Sequence, residues 1–401
     1  MTPLMQGFPP APETQVTLEN WRNPPFSRWA FQHVRELVPS ADIANDPANV
    51  RQLVFNPIDM GALRIDAGRK APLWLDAFLT HTRTDGMVIL HGGRIVFERY
   101  ANGMTADTPH ILMSVSKSML GLLAGVLVAR GVLELERPVT DVVPEVADTA
   151  YAGATIRQLL DMRAGIAFDE DYLATSGALV AYRKAAGWNP VSPGEAVSDL
   201  RAFYRQMRER VRPHGQTFHY VSPNTDLLGW IIERAAGRRY ADLMSDLIWK
   251  PMGAARSAYI TVDRLGAPRC AGGMCATVAD LARVGQLLIE DGSRAGSEII
   301  PSAWIDDITE NGDPDAWAAG SFVEYFPAVP MHYRSQWYAQ RGPVPLLMGL
   351  GIHGQYLFVD RRRRIVIAKA SSQDLPLDPA QIRLTMRVIS CIRDWLAERA
   401  N

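Results

Sequence analysis

The stretch Met113-Ser114-Val115-Ser116-Lys117-Ser118 decides the fold, together with the apolar run from Met119 to Ala129 and the stop at Arg130-Gly131. It holds the one serine in the chain that is followed three residues later by a lysine. The run reads as a helix with a cation in its last turn and glycine at C′. Because it is apolar on nearly every side, it should be buried. Ser114 and Lys117 then project from one face, one turn apart. At the helix N-terminus, free N–H groups and the positive end of the dipole favour a developing anion at the serine. Burial and the same dipole disfavour a charged lysine, whose neutral amine can take the serine proton. Arginine could not, because it stays protonated. The 42 basic residues include only five lysines, so a lysine here is less casual than an arginine would be.

Upstream, Gly86 to His91 and Arg94 to Tyr100 flank Gly92-Gly93, a hairpin signal. Trp74 to Thr80 reads as a short helix. The stretch from Pro25 to Ser40 reads as an amphipathic one. Downstream, 131–250 is mainly helical. Thr155 caps a helix ending before Gly165, and Ser222 caps another whose first turn holds Pro223. Thr277 caps a helix over Val278 to Asp291. Ser335 to Ala339, Gly349 to Val359 and Ile365 to Ala370 read as single strands. A terminal helix begins at the Asp378 cap and Pro379 and runs to about Glu398. Neither strand group is large enough to stand alone. They therefore join into one antiparallel sheet, with the helical block between them. The expected division is a sheet region of 1–112 and 255–401, a helical region of 113–254, and an active site between.

Net charge is −1 and no basic block extends beyond Arg361 to Arg364, which argues against nucleic-acid binding. Cys270, Cys275 and Cys391 are too scattered for a disulfide framework or zinc site. There is no His-Glu-x-x-His motif, so no metal or cofactor is expected. The proline-rich start lacks the apolar core of a secretory signal, and no run is long enough to span a membrane. A cytoplasmic protein without a membrane partner is the expectation, and a homodimer is left open.

The Ser114–Lys117 pair and five further stretches carry a resemblance. Ser114-Val115-Ser116-Lys117 looks like the acylation site of the serine β-lactamase and penicillin-binding protein superfamily. Thr155 to Leu160 followed by Ala164-Gly165-Ile166 is similar to the next helix of its class C and esterase branches. Trp29-Ala30-Phe31, Asp169-Glu170-Asp171-Tyr172, Asn224-Thr225-Asp226 and Gly351-Ile352-His353-Gly354-Gln355 resemble the 6-aminohexanoate-dimer hydrolases over nearly the whole chain. The resemblance implies a β-lactamase/transpeptidase-like fold, α/β plus all-α, with an antiparallel sheet flanked by N- and C-terminal helices. It implies a small-molecule amide or ester substrate and an acyl-enzyme on Ser114. Lys117 would be the base, and Tyr220 would pass a proton to the leaving group. The N–H groups of Ser114 and Ile352 would form an oxyanion hole, with Gly351 allowing close approach. Tyr172, Trp188 and Tyr338 would line the substrate site.

Two departures stand out. Gly349 occupies the place of a cation that binds the carboxylate of β-lactams and cell-wall peptides, which argues against those substrates. Arg183 stands where more active dimer hydrolases carry an acid, and a cation there would repel a substrate amine. Trp188 matches a mobile flap residue. His353 invites a Ser-His-Asp reading, but no Gly-x-Ser-x-Gly elbow exists and Ser114 already has a base. The alternatives left open are a carboxylesterase or acyltransferase without nylon-oligomer activity, a β-lactamase or D-alanyl-D-alanine peptidase, and a binding descendant without turnover.

Overall fold

The Gly92-Gly93 hairpin forms as its sequence implies, and the rest of the main sheet builds on it. The structure, a computed structural model, describes residues 3–61, 63–66 and 72–399. The first two residues of the proline-rich start and residues 67–71 lie outside it. In chain order the strands used below are β1 (Ser40–Ile43), β2 (Val54–Phe55), β3 (Thr84–His91), β4 (Arg94–Tyr100), β5 (His110–Ile111), β6 (Ala258–Thr261), β7 (Met274–Ala276), β8 (Met331–Arg334), β9 (Trp337–Gln340), β10 (Leu346–Gly351), β11 (Gln355–Asp360) and β12 (Ile365–Ser371). The principal helices are α1 (Leu75–His81), α2 (Val115–Ala129), α3 (Ile156–Leu160), α4 (Ala178–Ala185), α5 (Ser222–Ala236), α6 (Val278–Ile289), α7 (Ser302–Glu310) and α8 (Pro379–Glu398).

The main sheet has eight strands in the order β8-β9-β10-β11-β12-β3-β4-β2, antiparallel except for the short β2–β4 pair. The amino-terminal hairpin thus joins the carboxyl-terminal strands through β3–β12, where Ile89 faces Ile367. A second sheet, β1-β6-β7-β5, leads into α2. Alternation along the strands explains the layering. Val88, Leu90, Leu357, Val359, Val366 and Ala368 pack beneath α6, through Leu281, Val284 and Leu288. Met87, Ile89, Phe358, Ile365 and Ile367 point the other way, onto α1 and α8 through Phe78, Val388 and Ile392. With both faces covered, these strands read as nearly continuous hydrophobic runs.

Three expected elements differ. Ser335 is not in a strand: β8 and β9 form a hairpin turning at Ser335 and Gln336, both left-handed at φ +50° and +69°. The span Gly349 to Val359 is likewise a hairpin, because β10 ends at Gly351 and the chain turns through His353 (φ +60°) and Gly354 (φ +86°). The helix expected from Pro25 to Ser40 shrinks to Ser27–Ala30 and one 3-10 turn, Val34–Glu36. There the Phe31 carbonyl accepts from the Ile111 N–H instead of continuing a helix (2.9 Å). Ser222 starts α5 rather than capping it, with Val221 in the cap position. A Glu170 carboxylate oxygen receives the Ser222 N–H in place of a local cap.

Candidate active site

The chain reaches Ser114 through a strained elbow. β5 ends at Ile111, Met113 takes φ +45°, and Ser114 is the N-cap of α2. Methionine in that region costs about 1–3 kcal/mol, which the packing on either side must hold. Residues 111–113 and 115–127 are buried, whereas Ser114 is partly exposed. Its serine neighbours are occupied. Ser116 Oγ accepts the Met274 N–H, and Ser118 Oγ donates to the Gln336 carbonyl.

Lys117 Nζ lies 2.9 Å from Ser114 Oγ and 2.6 Å from the Ala271 carbonyl, to which it donates. At 1 % exposure, burial pulls its pKa down to about 7, with Glu170 and Asp226 pulling the other way. Near neutral pH much of the amine is therefore unprotonated and able to accept a proton. A second buried contact, Lys369 with Ser371, offers a comparison. Lys369 is also pulled down to about 7 by burial, yet both residues are fully buried and neither borders the cavities at Ser114. A depressed lysine marks a site only where substrate can reach it.

Tyr220 sits just before α5, with its ring centroid 4.9 Å from Lys117 Nζ. Phe322 packs on that ring, with centroids also 4.9 Å apart. Burial and the nearby Glu170 push the phenol well above its ordinary range, against a side-chain hydrogen bond with Ser114. It thus stays protonated beside Ser114.

β10 closes the other side. A Cβ at Gly351 would lie 3.1 Å from the Ser114 nitrogen and 2.8 Å from the Leu112 carbonyl oxygen, so a larger residue would push the strand off the elbow. A Cβ at Gly349 would meet Val115 and Ser118 of α2 at 3.1 and 3.2 Å. Ser114 and Ile352 each start a helical turn, where N–H groups lack an intrahelical acceptor. His353 lies in the turn after β10. Its Nδ1 meets the Gln373 carbonyl at 2.8 Å, and burial lowers its pKa to about 4, so it stays neutral and holds a loop.

Two cavities meet at Ser114, Tyr172 and Ile352. One is a narrow slot of about 50 Å³ walled by Tyr220, Tyr338, Phe322, Leu350 and Gly351. The other is wide, about 600 Å³, and carries Arg22, Glu170, Arg183, Trp188 and Arg269. Trp188 is 4 % exposed and doubly anchored. Its Nε1 donates to Thr261 Oγ1 (3.1 Å), and its carbonyl accepts from Trp21 Nε1 (3.0 Å). It stands here as a fixed wall. Arg183, on α4, donates to the Tyr172 carbonyl (2.9 Å).

A buried brace joins Asp226, quoted above only as part of a motif and given no role, to residues not singled out from sequence. Asp226, on α5, accepts from Arg269, from the Tyr182 hydroxyl and from the Ala271 N–H (2.7 Å). It thereby fixes the carbonyl that receives Lys117. An acid beside Leu227 and Leu228 on a buried helix was the available signal. Arg22 and Arg269 gave none, since they lie far away in sequence. Among the described residues no group of His, Cys, Asp and Glu is arranged to hold a metal ion.

Comparison with known proteins places the family and the fold. The Beta-lactamase family model matches residues 74–388. A 6-aminohexanoate-dimer hydrolase of Paenarthrobacter ureafaciens is 35 % identical over 368 residues, covering 91 % of this chain and 90 % of that one. Esterase EstB of Burkholderia gladioli is 30 % identical over 172 residues, covering 40 % of this chain and 41 % of that one. Among solved structures, a Bacillus anthracis protein provisionally assigned as a 6-aminohexanoate-dimer hydrolase superposes with a TM-score of 0.86 at 24 % identity, covering 98 % of both chains.

Proposed function

The chain belongs to the beta-lactamase family and is a serine hydrolase, and on that premise we propose that it cleaves linear amides and esters through an acyl-enzyme on Ser114. The observation that carries the residue assignment is the 2.9 Å contact between Ser114 Oγ and a buried, largely neutral Lys117, opening onto two cavities. Ser114 Oγ attacks the carbonyl while Lys117 Nζ takes its proton. The N–H groups of Ser114 and Ile352 hold the oxyanion. Tyr220 gives its proton to the departing nitrogen or oxygen and is reprotonated from Lys117. The bond to the leaving group breaks, and the acyl group remains on Oγ. Water then adds to the acyl carbon as the Lys117–Tyr220 pair takes its proton; the Oγ–acyl bond breaks, the pair passes that proton to Ser114 Oγ, and the acid is released.

Linear 6-aminohexanoate oligomers, the substrate class named for the Paenarthrobacter relative, are the reference amide substrates, with carboxylesterase activity alongside. Arg183 favours a second reading, a carboxylesterase without real activity on the aminohexanoate dimer, because its charge opposes an incoming ammonium. We also propose that the reaction occurs in the seam between the sheet region (1–112 and 255–401) and the helical region (113–254). Three free cysteines and the lack of any described helix able to cross a membrane support a cytoplasmic setting.

The test is a hydrolysis panel of aminohexanoate dimer, p-nitrophenyl esters and nitrocefin, beside fluorophosphonate labelling. The expected result is ester turnover and a label on Ser114, both lost in Ser114→Ala. A label elsewhere, or turnover surviving that substitution, overturns the assignment.

A further inference from the structure

The wide cavity holds more positive charge than its acids answer. Arg22, Arg183 and Arg269 all border it. Arg269 is paired with Asp226. Among the described residues no carboxylate lies within ion-pair distance of Arg22 or Arg183. Arg183 is 91 % buried, since its exposure is 9 %, and its one named bond goes to a neutral carbonyl. Arg22 donates to the Asn189 side chain, while its Nε is buried without a partner. The acids on the same wall do not pair with these two arginines, although Glu170 Oε2 and Asp374 Oδ1 are buried without a hydrogen-bond partner. Glu170 receives the Ser222 N–H, Asp374 pairs with Arg83 at 2.8 Å, and Glu19 is exposed at the rim. With the exposed Glu19 and Asp171 and the Arg83-paired Asp374 set aside, the three guanidiniums face Asp226 and Glu170, one positive charge over. Burial, and then repulsion from Arg183 and Arg269, pulls Arg22 down to about 9, a strain that a bound anion would relieve.

The slot on the other side of Ser114 is aromatic and apolar. Its one charged wall residue, Asp378, is spent capping α8. Tyr220, which faces the leaving group, borders this slot and not the wide cavity. The two arms of a substrate lying across Ser114 therefore meet different chemistry.

We propose that the acyl arm of the substrate ends in a carboxylate held by Arg183 and Arg22, and that the leaving alcohol or amine is apolar and occupies the aromatic slot. The substrate class is then the monoesters and monoamides of linear dicarboxylic acids. Arginine suits this task because its planar fork matches a carboxylate at two points. The inference rests on the Ser114 hydrolase reading and takes its second form above, in which the aminohexanoate dimer is cleaved poorly. The acyl–oxygen or acyl–nitrogen bond breaks as the Oγ–acyl bond forms. The alcohol or amine departs in that step with the Tyr220 proton; water then breaks the Oγ–acyl bond, its oxygen staying on the released dicarboxylate and its proton returning to Ser114 Oγ.

The test compares three p-nitrophenyl esters with one leaving group and different acyl ends: butyrate (neutral), hydrogen adipate (anionic) and 6-aminohexanoate (cationic). For the wild type, kcat/KM on the adipate half-ester should exceed that on the aminohexanoate ester by about ten- to one-hundredfold, and added salt should narrow the gap. Arg183→Asp should reverse the order, and Arg183→Lys should keep it. Should Arg183→Asp fail to fold, the salt dependence and Arg183→Lys still decide. Equal or faster wild-type turnover of the cationic ester overturns the carboxylate proposal. So does a folded Arg183→Asp with unchanged preference. Failure to cleave any of the three overturns the hydrolase reading instead.

Discussion

At the scale of the residue, the proposed chemistry turns on a lysine held short of its charge. Because burial lowers Lys117 to about 7 and the working form is neutral, kcat/KM on a neutral ester should rise with pH through about 7. Lys117→Arg should remain inactive at every pH, since guanidinium keeps its proton. Ser114→Ala and Lys117→Met should each lower kcat by about 10⁴-fold or more, read by p-nitrophenol release. Stability moves the other way. An unfolded lysine keeps its proton up to about pH 10.4, whereas the folded one gives it up near 7. Between these values the unfolded chain binds more protons, so this group's contribution to stability rises with pH. Lys117→Met should therefore be more stable than wild type by about 1–2 kcal/mol near pH 6, with the gap closing toward pH 10. Denaturant midpoints at the two pH values check this.

At the scale of the element, α2 was legible because its signals are local: a polar start, an apolar run and a glycine stop. What the sequence did not show is how tightly other elements lean on it. A Cβ at Gly121 would stand 2.0 Å from the Ser335 carbonyl oxygen, and one at Gly125 would enter the Trp304 ring of α7 at 2.3 Å. Gly121→Ala should cost about 1–3 kcal/mol, seen as a lowered thermal midpoint, and should reduce turnover by tilting the end that carries Ser114. The same contact explains why the β8–β9 turn escaped the sequence reading. Ser335 and Gln336 hold left-handed backbone without glycine because distant partners secure them. Asp161 accepts the Ser335 N–H, Arg157 donates to Ser335 Oγ, and the Gln336 side chain donates to the Leu159 and Leu160 carbonyls. No local turn rule sees bonds formed across such a distance. The Gly351–Gly354 turn was different. Its two glycines were visible, but the apolar residues around them outweighed the turn signal. The serine, lysine and tyrosine could be read from motifs. Asp226 lay in a quoted motif, but its pairing with Arg269, and Arg22, could not be read, because only the fold brings them together.

At the scale of the whole molecule, the layers are tied at a few buried polar points. Arg393 of α8 donates to Asp360 at the end of β11 (2.7 Å), with side-chain exposures of 7 % and 0 %. Arg393→Ala strands a buried carboxylate and should cost about 3–5 kcal/mol. Adding Asp360→Asn should recover part of that loss, and equilibrium unfolding of the single and double variants checks it. The main sheet also has a temporal consequence. The outer edge of β3 finds its ladder only in β12, with Gly86 opposite Ala370. As the polypeptide leaves the ribosome, that edge stays bare until β12, far downstream in the chain, has been made. Two unfinished copies can zip together there, so chaperone supply and translation speed should govern the yield of properly folded enzyme.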